Sequence, residues 1–424
     1  MSELSAVESR VLAAVDEVEL GRRLQELIEV PSVTGSAAES DLQHHLAEVL
    51  EEEGLEVDLW PIDLKGLRAL PGFPGEEAPR HEAWGLVGTL RGASAAEPPA
   101  LILQGHVDVV PPGDRARWSG DPFRARVEGD LMYGRGACDM KAGLSAMLSA
   151  VRAIRKAGVE LRHSLALHLA AGEEDGGLGA FATLVRGHRG AACVIPEPTA
   201  ETLITATAGA LTFRLTVPGQ ATHGSTRYAG VSAVDAYLPV HAALAALEAR
   251  RNQDVDPLMQ EYQIPYPISV GTLRAGDWAS SVPDALVAEG RLGVRLGEDV
   301  EAARSQLEEA VRAAALADPW LSSHPVEVEW WGGQFESARL TPEDPLSGLV
   351  SRAFRDICGH PPRRRGAPYG SDLRLYANAG IPTLHLGPGD VRFAHGPEER
   401  VSLKEVARIT RILALSALRS CGAE

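Results

Sequence analysis

The sequence predicts an α/β protein in which a mainly parallel-sheet domain is split by an inserted α+β unit. Three observations predict it. Apolar runs such as "LILQG", "LALHLA" and "ACVIP" alternate with helical patterns in the first half of the chain, the order expected of parallel strands joined by crossover helices. From about residue 207 the strand-like segments turn half-polar, as in "ALTFRLTVPG" and "ALVAEGRLGVRL", the pattern of a sheet with one wet face. At 424 residues the chain exceeds the size at which one hydrophobic core stops growing, so more than one domain is expected.

Taken in order, the periodicity predicts a helix over residues 7–29, stopped at Pro31 because proline cannot continue it. A second helix follows "TGSAAESD" and ends at Gly54. "LEVDLW" and "WGLVGTL" read as strands, the second inside a loop-rich stretch from Pro61 to Pro99. The strand "LILQGH" and the loop "PPGDRARWSGDPF" lead to a helix in which Leu144, Met147, Leu148, Val151 and Ile154 recur at helical spacing. "HSLALHLA" and "ACVIP" are further strands. In the insert, a helix over 231–251, the strand "ALVAEGRLGVRL", a helix over 300–316 and the strand "VEVEWW" give a β-α-β-α-β order. The α/β style resumes near Leu340, with a helix over 344–358, the helix "SDLRLYANAG", the strand "IPTLHLG" and a last helix from Glu398. The expected domain boundaries are 1–206, 207–335 and 336–424.

Composition narrows the function. Lys plus Arg total 41 against 58 Asp plus Glu, a net charge of −17, which repels nucleic acid and anionic membranes. No apolar run reaches the roughly eighteen residues that a membrane span needs. The N-terminal "MSELSAVESRVLAAVDEVEL" is acidic, without the basic start of a signal peptide, so a cytoplasmic location is expected. Cys138, Cys193, Cys358 and Cys421 are scattered and form no C-x-x-C, so they read as reduced thiols.

The chemistry gathers at strand ends. His106 and Asp108 stand two residues apart and point the same way, at the strand end where open α/β sheets bind ligands. Alone, such a pair is as well explained by a solvated turn. The habit repeats, however: Asp139 follows "LMYGRGAC", Glu173 and Glu174 follow "LALHLAAG", Glu197 follows "ACVIP", and His395 follows "LHLGPGDVRFA". Two imidazoles and three carboxylates without a thiolate suit zinc, cobalt or manganese. One tetrahedral zinc needs three protein ligands, so five such donors exceed that need and can serve two metals if one carboxylate bridges. The other histidines, His223 apart, read as structural, His168 in mid-strand as a satisfied core group.

The motifs "GHVDVVP", "GRGACDMKAG", "GEEDGGLGA", "PEPT" and "GPGDVRFAHGPEERV" resemble, in the same order, the metal-binding motifs of the co-catalytic metallopeptidase family. That family holds acetylornithine deacetylase, succinyl-diaminopimelate desuccinylase, aminoacylase and glutamate carboxypeptidase, and the resemblance runs from the first helix to the end of the chain. It implies a phosphorylase/hydrolase-like catalytic domain with a ferredoxin-like lid that also dimerises. It assigns His106 and Glu197 to one metal, Glu174 and His395 to the other, and Asp139 to the bridge. Asp108 would hold His106 in orientation, and Glu173 would be the general base for a metal-activated water. His223, in "VPGQATHGST", would reach the active site of the other subunit of a homodimer and support the developing oxyanion. Two divalent ions are implied, zinc first, with cobalt or manganese as alternatives.

The implied activity is removal of an acyl group from an N-acyl amino acid, acetylornithine deacetylase-like as the nominal choice. A dipeptidase or carboxypeptidase of the same fold is the alternative. A metal-free binding protein that has lost catalysis is opposed by retention of every ligand and of Glu173. Two positions depart from the family. Ser281 in "SSVPD" stands where relatives often carry asparagine, and Gly293, between Arg291 and Arg295, where they often carry arginine. Both positions help hold substrate carboxylates in relatives, so the departures bear on substrate identity.

Overall fold

The helix predicted over residues 7–29 is two helices, Ala6–Ala13 and Glu17–Glu29. Asp16 makes the break: its carboxylate accepts the backbone N–H of Glu19 at 3.1 Å, the satisfaction that a helix start requires. The apolar period runs on across the break, which is why the sequence hides it. In this computed structural model, which describes residues 4–94 and 98–423, the chain divides into two compact units. One holds residues 1–205, 340–365 and 372–424, the other residues 206–339 and 366–371.

The first unit is built on a mixed sheet in the order Glu56–Pro61, Trp84–Leu90, Leu165–Ala170, Leu101–His106, Cys193–Ile195, Thr383–His385 and Leu203–Thr207. Its centre is parallel, from the Leu165 strand through the Leu101 and Cys193 strands to the Thr383 strand. The flanking pairs are antiparallel. Leu101 and Leu103, with Leu165, Leu167 and Leu169, face one core that includes Leu24, Ile28, Leu144, Met147, Val151 and Leu413 from the covering helices. Each of these fully buried leucines contributes on the order of 2 kcal/mol by leaving water. The opposite face is covered by a smaller cluster, including Trp60, Ile62, Leu67, Val87, Leu178 and Ala182. With both faces covered, the central strands end at one crevice. His106 closes the Leu101–His106 strand, Glu173 and Glu174 follow the Leu165–Ala170 strand, and Glu197 follows Cys193–Ile195. Asp139, by contrast, stands just before the helix Lys141–Lys156, and His395 just after the 3-10 turn Val391–Phe393.

The second unit is a four-stranded antiparallel sheet in the order Ile268–Ala275, Ala285–Val294, Gly209–Pro218 and Glu327–Phe335. The helices Ala233–Arg251 and Val300–Ala317 share its core with Leu211, Phe213, Leu215 and Val217. The chain order is therefore β-α-β-β-α-β, not β-α-β-α-β. The added strand, Ile268–Ala275, lies at the sheet edge, is mostly exposed and carries a bulge between Val270 and Thr272. An edge strand with little to bury shows little hydrophobic alternation, so periodicity does not detect it. No helix among the described residues is long and apolar enough to cross a membrane.

His168 is buried on the Leu165–Ala170 strand, and its Nδ1 meets the Tyr376 hydroxyl at 2.9 Å. Burial, reinforced by nearby His188, pushes its pKa down to about 3, and burial alone does the same at His385. Both pKa values lie below those of the unfolded chain, so the unfolded state takes up the protons first as the pH falls. Stability from these groups is full above about pH 6.5 and is lost progressively below it. Urea unfolding of wild type and His168→Gln between pH 6.5 and 5 tests this. The substitution is expected to remove about 1.4 kcal/mol per pH unit of acid destabilisation; identical slopes would refute it.

Candidate metal centre

The Leu101–His106 strand ends by placing His106 inside the crevice, where the side chain is buried. Its Nδ1 lies 2.9 Å from the Asp108 backbone carbonyl, and the Asp108 carboxylate Oδ1 is 3.5 Å away. The closer orienting partner is thus the main chain of Asp108, a detail that residue spacing cannot supply. The Asp108 side chain does something further. Its Oδ1 accepts the Glu173 N–H, and its Oδ2 accepts the Glu174 N–H and the Thr34 hydroxyl, all within 3.2 Å.

His106 Nε2 faces Asp139 Oδ1 at 3.2 Å and Glu197 Oε1 at 3.9 Å. Asp139 turns its other oxygen, Oδ2, toward His395 Nε2 at 3.4 Å, and His395 Nε2 lies 3.0 Å from Glu174 Oε2. Asp139 therefore stands between two lobes, His106 with Glu197 on one side and His395 with Glu174 on the other. His106, Asp139 and Glu174 form a group able to hold a metal ion, with ligand atoms all within 4.8 Å of one another. His395 adopts a left-handed backbone, φ 59°, a conformation that costs a side-chain-bearing residue about 1–2 kcal/mol. Such strain gathers at functional sites.

The electrostatics follow from this crowding. At His395 the Glu174 charge, aided by Asp139 and opposed by burial, raises the pKa to about 11. Burial works against protonation of His106, yet Asp108, Asp139 and Glu197 hold its pKa well above the ordinary value. Burial raises Asp139, but His106 and His395 outweigh it and keep the carboxyl well below the usual range. Burial pushes Glu197 up, as it does Glu173, where His106 opposes and Asp372, Glu197 and Glu174 add to the rise. The donor set, oxygen and imidazole with no thiolate among the facing atoms, fits divalent cations that displace the imidazole protons. Cys138 points elsewhere, its Sγ 3.2 Å from the Asp390 carbonyl.

Glu399, inside the motif "GPGDVRFAHGPEERV", carries no mark of function in the sequence. It is buried, accepts the N–H groups of Gly136, Cys138 and Asp139 at 3.0, 2.8 and 2.9 Å, and pairs with buried Arg135. It fixes the backbone from which Asp139 projects. Nothing in its spacing separates it from an ordinary surface glutamate.

His223, Ser281 and Gly293 belong to the other unit. His223 is exposed and caps a short 3-10 helix, where its Nδ1 accepts the Ser225 N–H at 3.2 Å and meets the Ser225 hydroxyl at 2.7 Å. Acceptance at Nδ1 assigns the ring proton to Nε2. Ser281 forms an isolated β-bridge with His223. At Gly293 a Cβ would lie 2.9–3.0 Å from the Tyr266–Pro267 backbone. Close approach of the main chain explains the glycine and shuts out an arginine there.

Residues 102–419 match Peptidase family M20/M25/M40. The chain belongs to this family. Among relatives of this M20/M25/M40 chain, the succinyl-diaminopimelate desuccinylase of Alkalilimnicola ehrlichii is 32% identical over 344 residues, spanning 78% of this chain and 86% of the relative. The N-formyl-4-amino-5-aminomethyl-2-methylpyrimidine deformylase of Bacillus subtilis is 26% identical over 398 residues, spanning 88% and 87%. Human carnosine dipeptidase 1 shares the fold with a TM-score of 0.76 at 16% identity, covering 99% of this chain and 100% of that one. The dipeptidase Dug1p of Saccharomyces cerevisiae gives 0.78 at 15% identity, covering 98% of each. At those identities the structural likeness carries the α/β fold. Family membership makes this M20/M25/M40 chain a hydrolase of amide bonds.

Proposed function

We propose that the chain is a two-metal deacylase that removes the acyl group from an N-acyl amino acid or similar small amide. The placement of Asp139, one oxygen toward His106 and the other toward His395, is the observation that carries the reading. His106 and Glu197 would hold one cation, Glu174 and His395 the other, with Asp139 shared; zinc is the first choice and cobalt or manganese the alternatives. When bound, such cations supply Lewis acidity at the carbonyl and lower the pKa of water. Glu173 would then accept the water proton and return it to the leaving nitrogen. Asp108 would aim His106 through its carbonyl and seat the Glu173–Glu174 turn through its carboxylate.

Two relatives at 26% and 32% identity bear names of acyl-removing enzymes, which supports a deacylase over a dipeptidase. A panel of N-formyl, N-acetyl and N-succinyl amino acids set against dipeptides, each with and without a chelator, tests the reading. Chelator-sensitive turnover of an N-acyl substrate is expected, and preference for dipeptides would overturn it.

In the same reading the second unit would serve as lid and dimer contact. The edge strand Ile268–Ala275 leaves Leu273 51% and nearby Trp278 73% exposed, an open template for pairing with a second copy. His223 would then offer its Nε2 proton to the oxyanion in the partner subunit's site. Gel filtration with light scattering is expected to give a dimer that Leu273→Lys weakens; a monomeric wild type would remove His223 from the mechanism.

A further inference from the structure

Directly after Glu173 and Glu174, Asp175 is buried, and its Oδ2 accepts the N–H groups of Glu77 and Ala78 at 3.1 and 2.9 Å. Both of its oxygens lie 3.3 Å from Arg80 Nη2. The Arg80 side chain is 0% exposed, and its Nε and Nη1 find no acceptor among the described residues. That is an expensive place for a cation. Three buried carboxylates surround it electrostatically: Glu39, Asp175 and Asp108. Two of them also grip the turn that presents Glu173 and Glu174, and the third, Asp175, belongs to that turn and holds the 77–80 segment to it. Glu39 accepts the Gly172 N–H at 2.8 Å and the Gly35 N–H at 3.0 Å, while Asp108 accepts the N–H groups of Glu173 and Glu174.

Gly172 has φ +66°, and a Cβ there would run into Arg80 Nη1. The guanidinium therefore lies directly against the start of the turn.

We propose that Arg80 and Asp175 are positioning residues: a buried clamp that ties segment 77–80 to turn 172–175 and so aims Glu174 at its cation and Glu173 at the water. The aim of those two glutamates rests on the proposed function; the clamp itself does not. Removing Arg80 takes the guanidinium away from Glu39 and Asp175 and leaves Asp108 with His106 as its counter-charge, so the effect is expected at the turn these carboxylates hold. Replacing Asp175 frees the 77–80 segment from the turn.

The test uses Arg80→Gln, Arg80→Lys and Asp175→Asn in the full chain. Amide hydrogen exchange across residues 172–177 is followed in the metal-free protein, and cobalt binding is titrated calorimetrically. Arg80→Gln and Asp175→Asn are expected to exchange faster across this turn and to bind cobalt about 10–100-fold more weakly. Arg80→Lys keeps the charge and should recover part of both. With the best substrate of the panel, kcat should fall and KM should hold within about threefold, the pattern of a misaimed transition-state group. Wild-type exchange and cobalt affinity in all three variants, with only the melting temperature lowered, would overturn the clamp. Should Arg80→Gln fail to fold, Arg80→Lys and Asp175→Asn still decide it by the same two measurements. Exchange and cobalt binding need no substrate, so a wild type inert on every amide would refute the deacylase reading and leave the clamp standing.

Discussion

Replacing Glu173 with glutamine is expected to leave the cations bound and to lower kcat by about a hundredfold or more. General-base catalysis by a positioned side chain contributes about 10²–10⁴-fold, and the amide keeps the shape of the side chain while losing its basicity. The case rests on how differently two neighbours are placed. Glu174 reaches His395 at 3.0 Å and shares the ligand group with His106 and Asp139. Glu173 is outside that group, buried, with its backbone N–H held by Asp108. Burial, with Asp372, Glu197 and Glu174 adding to it, raises the proton affinity of Glu173 well above that of a free glutamate, which suits a group that must take a proton near neutrality. Glu174→Gln makes the contrast, since it neutralises an oxygen donor proposed for the cation. Steady-state kinetics together with metal analysis of both variants separate the roles. Metal loss in Glu173→Gln equal to that in Glu174→Gln would make Glu173 a ligand and not the base; wild-type kcat would remove it from the chemistry.

These two glutamates also show what the sequence makes legible and why. A buried strand has a sharp apolar signature, so its end is easy to find, and a polar residue placed there stands out. That logic points to His106, Glu173, Glu174 and Glu197, which do close or follow buried strands, whereas Asp139 precedes a helix and His395 follows a 3-10 turn, so these two stood out by motif and not by position. It gave their neighbourhood but not their partners: the Asp108 carbonyl, not its carboxylate, lies closer to His106. The supporting groups left no such mark. Arg80 lies in a stretch readable only as loop, and its ion-pair partner Asp175 is 95 positions away. The strand Ile268–Ala275 escaped because an exposed edge selects for no periodic apolar face. The break at Asp16 escaped for the opposite reason, since the same period serves both helices that flank it.

Glu399→Ala is expected to destabilise the fold by about 3–5 kcal/mol, because it strands the Arg135 charge in the interior. Three N–H groups, those of Gly136, Cys138 and Asp139, lose their acceptor at the same time, and each buried orphan costs about 1–3 kcal/mol. Arg135 has a weak further recourse in the Pro111 carbonyl at 3.4 Å and the Trp118 ring at 5.3 Å. Domains typically hold about 5–15 kcal/mol in all, so the variant should unfold at markedly lower urea. Stability and site can be separated by adding Arg135→Met. Removing both members of a buried pair takes away the orphan charge and can restore much of the stability. It restores nothing to the Asp139 backbone, which has still lost its acceptor. The double variant is therefore expected to regain urea resistance while cobalt binding stays weak. Recovery of both together would make Glu399 a stabilising ion-pair partner alone, and a loss below about 1 kcal/mol in the single variant would deny it even that.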